Sequence, residues 1–154
     1  MRAIIQRVNS ASITIEDSEP QNMGKGLVVL FAASKHDKED VTIELIEKLA
    51  AKTANLRIFS DDEGKMNRSV IELRLSIMVV SQFTLFANTK KGNRPSFAEA
   101  GESTFAKDIY ERYILALRKY DFKEFVTGSF GSHMTINLVN DGPVTIIIDT
   151  KEWE

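Results

Sequence analysis

Residues 26–33, Gly-Leu-Val-Val-Leu-Phe-Ala-Ala, form an uninterrupted apolar run. A strand with one face in water alternates apolar and polar residues. A continuous run of this length reads instead as a strand covered on both faces. Ile77-Met78-Val79-Val80 is a second unbroken stretch, within a segment (73–86) that opens as strand. Strands of this kind need a layer above and a layer below, and helices are too few to supply both. Residues 38–54 carry Val41, Leu45 and Leu49 at four-residue spacing, with Ile46 and Ala50 beside them. Asp37 and Asp40 suit the start of that helix, where backbone N–H groups lack partners. Residues 102–120 form a second helix, with Phe105, Ile109, Tyr113 and Leu117 on one stripe and Tyr110 and Ile114 beside it. The other ordered segments read as strands: 2–8, 11–15, 56–59, and three more near 123–127, 132–139 and 144–149. Two helices cannot cover both faces of so many strands. The expected fold is mixed α/β (α+β), a three-layer β-β-α sandwich with two sheets packed face to face and both helices on one outer face. No repeat or linker divides the chain, so one domain spans 1–154.

Several function classes fall away on composition. Lys and Arg number 20 against 22 Asp and Glu, a net charge of −2, which argues against a protein that coats long stretches of nucleic acid. There is no cysteine, which removes disulfides, thiolate nucleophiles and Cys-ligated metals and fits a reducing compartment. No apolar run approaches the length of a membrane span, and the N-terminus alternates polar and apolar, unlike a signal peptide. Phosphate-binding, dinucleotide-binding and zinc-protease signatures are missing, as is the hydrolase nucleophile elbow. His36 sits among charged residues at a helix start, and His133 opens a strand on the face of Thr135 and Asn137. Both read more simply as surface residues than as catalytic bases. Gly128-Ser129-Phe130-Gly131 mimics the RNA-clamping Gly-x-x-Gly loop, but a glycine turn between strands explains it as well. Residues 60–64 form a turn that matches a calcium loop only superficially. Residues 87–101 form a long polar loop of a kind that often carries function.

Two segments break local rules. Ser81-Gln82-Phe83-Thr84-Leu85 places three polar side chains where a buried strand ends, and such groups must find hydrogen bonds. Residues 140–145, Asn-Asp-Gly-Pro-Val-Thr, contain the Asp-Gly hairpin signal followed by a proline that removes a ladder donor. Gly-Pro is able to adopt a cis bond, yet only about 5% of X-Pro bonds do so. On pattern alone, a trans hairpin is preferred.

Together these segments resemble the signature motifs of the D-aminoacyl-tRNA deacylase family, Ser-Gln-x-Thr and Asn-x-Gly-Pro-Val-Thr. The likeness runs nearly the whole chain. It takes in Met1-Arg2-Ala3, Gln6-Arg7-Val8, Leu56-Arg57-Ile58-Phe59, Gly64-Lys65-Met66-Asn67, Arg94-Pro95-Ser96-Phe97 and Thr127-Gly128-Ser129-Phe130-Gly131. Residues 72–76 and Ser132-His133 depart from the family pattern. The resemblance implies an esterase that cleaves a D-amino acid, or glycine mischarged on tRNA-Ala, from the terminal adenosine of a tRNA. It implies a cytoplasmic homodimer, no cofactor and no metal. Gly142 and Pro143 would reach across to the partner's pocket through a cis bond. Their carbonyls would collide with an L side chain and admit a D one, which is selectivity by exclusion. Phe130, Gly131 and Met134 would receive the adenosine, with Asn140 and Thr145 completing the motif. Ser81, Gln82, Phe83 and Thr84 would form the catalytic segment. Thr84 is the nucleophile the motif offers, but a threonine hydroxyl needs a base, and none lies near it in sequence. The favoured alternative has water attack with help from the tRNA 2′-hydroxyl, while backbone N–H groups around Phe83 and Thr84 hold the oxyanion. Lys90, Lys91, Arg94 and Arg7 would contact the tRNA backbone. Three such contacts in the loop, Lys90, Lys91 and Arg94, imply a log-affinity against log-salt slope of about −2 to −3. The other function class weighed is a nucleic-acid-binding or partner-binding protein without catalysis. The chain ends at Glu154, just after its last strand, without the long tail of relatives that act in DNA replication, which favours the enzyme.

Overall fold

The apolar run becomes β3 (Gly26–Ala32), buried along nearly its whole length. The computed structural model describes residues 1–37 and 39–153, together with all their side chains except those of 39–41. The first residue of the expected helix 38–54 therefore lies outside the described residues, as does the side chain of Val41. β3 pairs in parallel with β6 (Ser76–Ser81), and β6 pairs in parallel with β7 (Phe125–Thr127). Parallel neighbours need crossover connections. These contain α1 (Glu39–Asn55), between β3 and β6, and α2 (Ser103–Leu117), between β6 and β7. The long first strand, β1 (Arg2–Ile15), pairs antiparallel with β3 over residues 2–8 and with β2 (Gln21–Met23) over residues 11–13. Along its other edge it pairs with β8 (Met134–Asp149). β4 (Phe59–Ser60) and β5 (Met66–Arg68) form a separate two-stranded piece.

Side chains alternate along β3 and β6 to build two cores. Leu27, Val29, Phe31, Ile77 and Val79 face the helices, among Ile46, Leu49, Ile109, Tyr113 and Leu117. Val28, Met78 and Val80 face the other way, among Val8, Ala11, Ile13 and Val126. β1 serves both cores: Ala3 and Ile5 join the first, Ala11 and Ile13 the second. Its ladder to β8 shifts register between Gln6 and Ser10. A strand that changes layers through such an irregularity lets a sheet fold over itself.

The fold is thus mixed α/β with two helices and a sheet that curls toward a barrel. The expected pair of separate sheets is replaced by one six-stranded sheet, because β1 and β8 are long enough to run through both halves. For the same reason the segments 2–8 and 11–15 are one strand, and 134–139 and 144–149 are parts of another; residues 132–133 stay in the turn before it, and the strands expected from 56 and 73 begin at Phe59 and Ser76. The Asp-Gly hairpin does not form, since both flanks of 140–145 find their partner in β1. The expected helix start also changes. Asp37 takes the Met1 ammonium at 2.8 Å and the Ser34 amide at 2.6 Å. α2 is capped by Glu102, whose carboxylate accepts from the Thr104 and Phe105 amides. Those backbone hydrogen bonds hold its pKa below the usual carboxylate value.

Candidate active site

β6 brings five buried residues to the sheet's end and then releases the chain at Ser81. The Gln82 amide still bonds to the Phe31 carbonyl at 2.7 Å, after which Phe83–Phe86 wind into one 3₁₀ turn. Gln82 does not cap that turn; its side-chain amide donates to Thr84 Oγ1 instead. Among the described residues, no histidine, lysine or carboxylate hydrogen-bonds to Thr84. Phe83 stands 54% exposed, and its ring meets that of Phe97, itself 38% exposed, edge to face at 5.2 Å.

The turn between β7 and β8 supplies the facing wall. The Gly128 amide bonds to the Val79 carbonyl at 3.1 Å. A Cβ on Gly128 would lie 2.6 Å from Met134 Sδ, so a side chain here would displace the methionine. Phe130 packs at 6.1 Å from the ring of Tyr110, whose hydroxyl donates to the Val79 carbonyl at 2.9 Å. Burial pushes the Tyr110 pKa up to about 12. Between these walls lies a cleft of about 590 Å³, mostly apolar in its lining, with Ser81, Gln82, Phe83, Phe97, Phe130 and Met134 among its residues. A volume of that order suits a small ligand or one nucleoside with its substituent. Gly131 and His133 also border it; His133 is exposed, and its backbone amide is held by Glu16.

The second motif sits elsewhere. Residues 140, 142, 143 and 145 are exposed, and none lines the cleft of its own chain. The Gly142-Pro143 peptide is cis. Gly142 has φ +155°, and a Cβ there would fall 2.3 Å from the Val144 amide nitrogen. Arg7 braces this segment from β1. Its Nε bonds to the Asp141 carbonyl at 3.1 Å and pairs with the Asp141 carboxylate at 3.3 Å, and Nη1 bonds to the Ile58 carbonyl at 2.6 Å. The Arg7 side chain is only 12% exposed. Lys90, Lys91 and Arg94 stand exposed in the loop after the 3₁₀ turn.

The structure therefore gathers Ser81, Gln82, Phe83, Phe130, Gly131 and Met134 at one cleft. Thr84 is hydrogen-bonded to Gln82 but does not line the cleft, and the 140–145 segment lies outside it. Two residues that share in the family likeness received no role from the sequence. Phe97 carried a faint further signal, an aromatic in an otherwise polar loop. Nothing local pointed to what Gln6 does, because its partners Asn140 and Thr145 are 134 and 139 residues away.

A mixed α/β domain whose curled sheet ends in an apolar cleft with a polar strand terminus defines a class of small-ligand-sized sites but no chemistry. Family comparison narrows it. The chain belongs to the D-Tyr-tRNA(Tyr) deacylase family, whose model matches residues 4–149. It is 50% identical over 151 residues to a D-aminoacyl-tRNA deacylase of Cytophaga hutchinsonii, covering 98% of both chains. It superposes on the solved c-Myc DNA unwinding element binding protein with a TM-score of 0.85 and 37% identity, covering 97% of this chain and 98% of that one. A structure described as a probable eukaryotic D-amino acid tRNA deacylase shares the fold alone, with a TM-score of 0.83 at 17% identity over 96% of this chain and 97% of that one.

Proposed function

We propose that this protein hydrolyses the ester bond of D-aminoacyl-tRNA, and of glycyl-tRNA mischarged on tRNA-Ala, releasing amino acid and tRNA and sparing L-aminoacyl-tRNA. The observation that carries the reading is the split between the two motifs: Ser81, Gln82 and Phe83 line a cleft, while Gly142 and Pro143 stand exposed away from it. Such a split is what a cytoplasmic homodimer would use, each copy lending its Gly142-Pro143 segment to the other's cleft as the chiral filter. The exposed Leu138, Val139 and Ile147 on β8 give that segment an apolar surround suited to a second copy.

In this reading the terminal adenosine rests against Phe130 and Met134, an aromatic face and a soft thioether. Water attacks the ester carbonyl, assisted by the 2′-hydroxyl of the tRNA. The amides that open the 3₁₀ turn at Phe83 and Thr84 have no acceptor within it and point the oxyanion's stabilisation to this place. The lack of a base at Thr84 among the described residues favours water over the threonine as nucleophile. Lys90, Lys91 and Arg94 serve the phosphates of the acceptor end; Arg7, largely buried and paired with Asp141, braces the 140–145 segment instead of meeting phosphate. A second reading, nucleic-acid binding without catalysis, draws on the structural relative whose name is a DNA-element binding protein. Incubation with D-Tyr-tRNA and L-Tyr-tRNA separates the two. Rapid loss of the D ester with the L ester intact is expected; equal rates or none would overturn the proposal.

A further inference from the structure

Between Gln6 and Val8, β1 advances two residues, while β8 runs from Thr145 back to Asn140. Residues 141–144 therefore have only Arg7 opposite them on β1 and stand out of the ladder; outside β1, the Lys25 ammonium lies 3.9 Å from the Asp141 carboxylate. A bulge this large loses the backbone hydrogen bonds that would fix its shape. Side chains from β1 take over. Arg7 holds one point, at Asp141. Gln6 holds both flanks: its Oε1 accepts from Thr145 Oγ1 at 2.6 Å, and its Nε2 donates to Asn140 Oδ1.

We infer that Gln6 is a positioning residue for selectivity: its side-chain amide clamps the two ends of the 140–145 bulge and so sets how Gly142 and Pro143 are presented. The inference rests on the proposed function for its selectivity half and on geometry alone for its clamp half. A planar amide has its acceptor and its donor on opposite arms, so one group fixes residues 140 and 145 relative to each other. Arg7 cannot replace it, because its bonds within the segment reach only Asp141.

Two variants test this. Gln6→Leu keeps most of the volume and removes both hydrogen bonds. Gln6→Glu keeps the acceptor for Thr145 and accepts from Asn140 once that amide rotates to present its NH₂. Amide hydrogen exchange at the ladder residues that border the bulge, 139–140 and 145–146, is expected to quicken about tenfold in Gln6→Leu, the scale of one or two neutral hydrogen bonds, with β1–β3 amides unchanged. The ratio of kcat/KM for D-Tyr-tRNA over L-Tyr-tRNA is expected to fall by a similar factor. Gln6→Glu is expected to keep both near wild type. Unchanged exchange in Gln6→Leu overturns the clamp, as does equal loss in the two variants. Faster exchange with an unchanged ratio overturns the selectivity role. If the wild-type protein cleaves neither ester, the proposed function and the selectivity role both fall, and the exchange data still decide the clamp.

Discussion

The two motif segments leave the same sheet in opposite manners. At residues 81–86 the chain departs from a strand buried on both faces, winds at once into a 3₁₀ turn, and stays against its own cleft. At residues 140–145 it bulges out of an edge strand, exposed, and is held by polar side chains from β1. The first is anchored by packing at both ends, through the buried strand before it and the buried Phe86 after it, while Phe83 stands exposed at the cleft. The second is fixed by a few hydrogen bonds beside solvent, so its geometry is set by named atoms and is open to something approaching from outside. One chain thus holds its cleft and its exposed motif apart.

Breaking the exposed segment is expected to have the largest effect. Gly142→Ala places a methyl 2.3 Å from the Val144 amide nitrogen and must move the segment. Displacement of about 1 Å costs on the order of 100-fold in rate at a positioned site. Activity on D-Tyr-tRNA should fall by about that factor while the thermal midpoint barely moves. Full activity would show the segment to be no part of a site. Tyr110→Phe probes the packed side. Loss of the hydroxyl that donates to the Val79 carbonyl should cost about 1 kcal/mol in urea denaturation. The pH signature is specific. The raised Tyr110 pKa means the fold favours the neutral phenol, so its contribution is intact below about pH 10 and is lost as pH climbs toward about 12. The variant should lose less stability across that alkaline window than wild type does.

Thr84→Ala is expected to cost less than about tenfold in kcat, the worth of one hydrogen bond. Loss of a true nucleophile would cost on the order of 10⁶, as in serine hydrolases. A collapse to background would make Thr84 that nucleophile. The smallest effect belongs to Lys91→Ala, which should weaken tRNA binding slightly and reduce the salt slope by about one. An unchanged slope would take the loop out of the interface.

The packed side was legible in the sequence and the exposed side was not, for physical reasons. Apolar runs and helical stripes report burial directly, so β3, β6 and the stripe of α2 fell where periodicity put them. Ser81 and Gln82 announced themselves as polar groups at a buried strand's end. The 140–145 segment carried a local message, Asp-Gly, that a distant strand overrode, because β1 offered an edge of 14 residues to both flanks. Asp37 misled in the same way: a good cap residue found an ammonium group instead. Gln6 shared in the family likeness but showed no role, since a glutamine in an alternating strand looks like any solvent-facing position until its partners arrive from the far end of the chain. The family resemblance supplied the motif's importance without supplying what holds it.

The pairing of β1 with β8 also has a consequence for how the molecule is made. The first strand to leave the ribosome has one edge reserved for the last. Synthesis of more than a hundred intervening residues separates Ile15 from its partner Met134. Through that interval β1 can rest on β3 and β2, but its outer edge stays uncovered, and the curl of the sheet cannot close. Closure by such distant contacts is slow, and open strand edges invite pairing with the wrong chain. A nascent chain stalled before residue 134 should therefore expose an adhesive edge that the released protein hides. The step that covers that edge is the same one that pushes residues 140–145 out of the ladder, and it hands the role of open edge from β1 to β8, with Leu138, Val139 and Ile147 exposed along it.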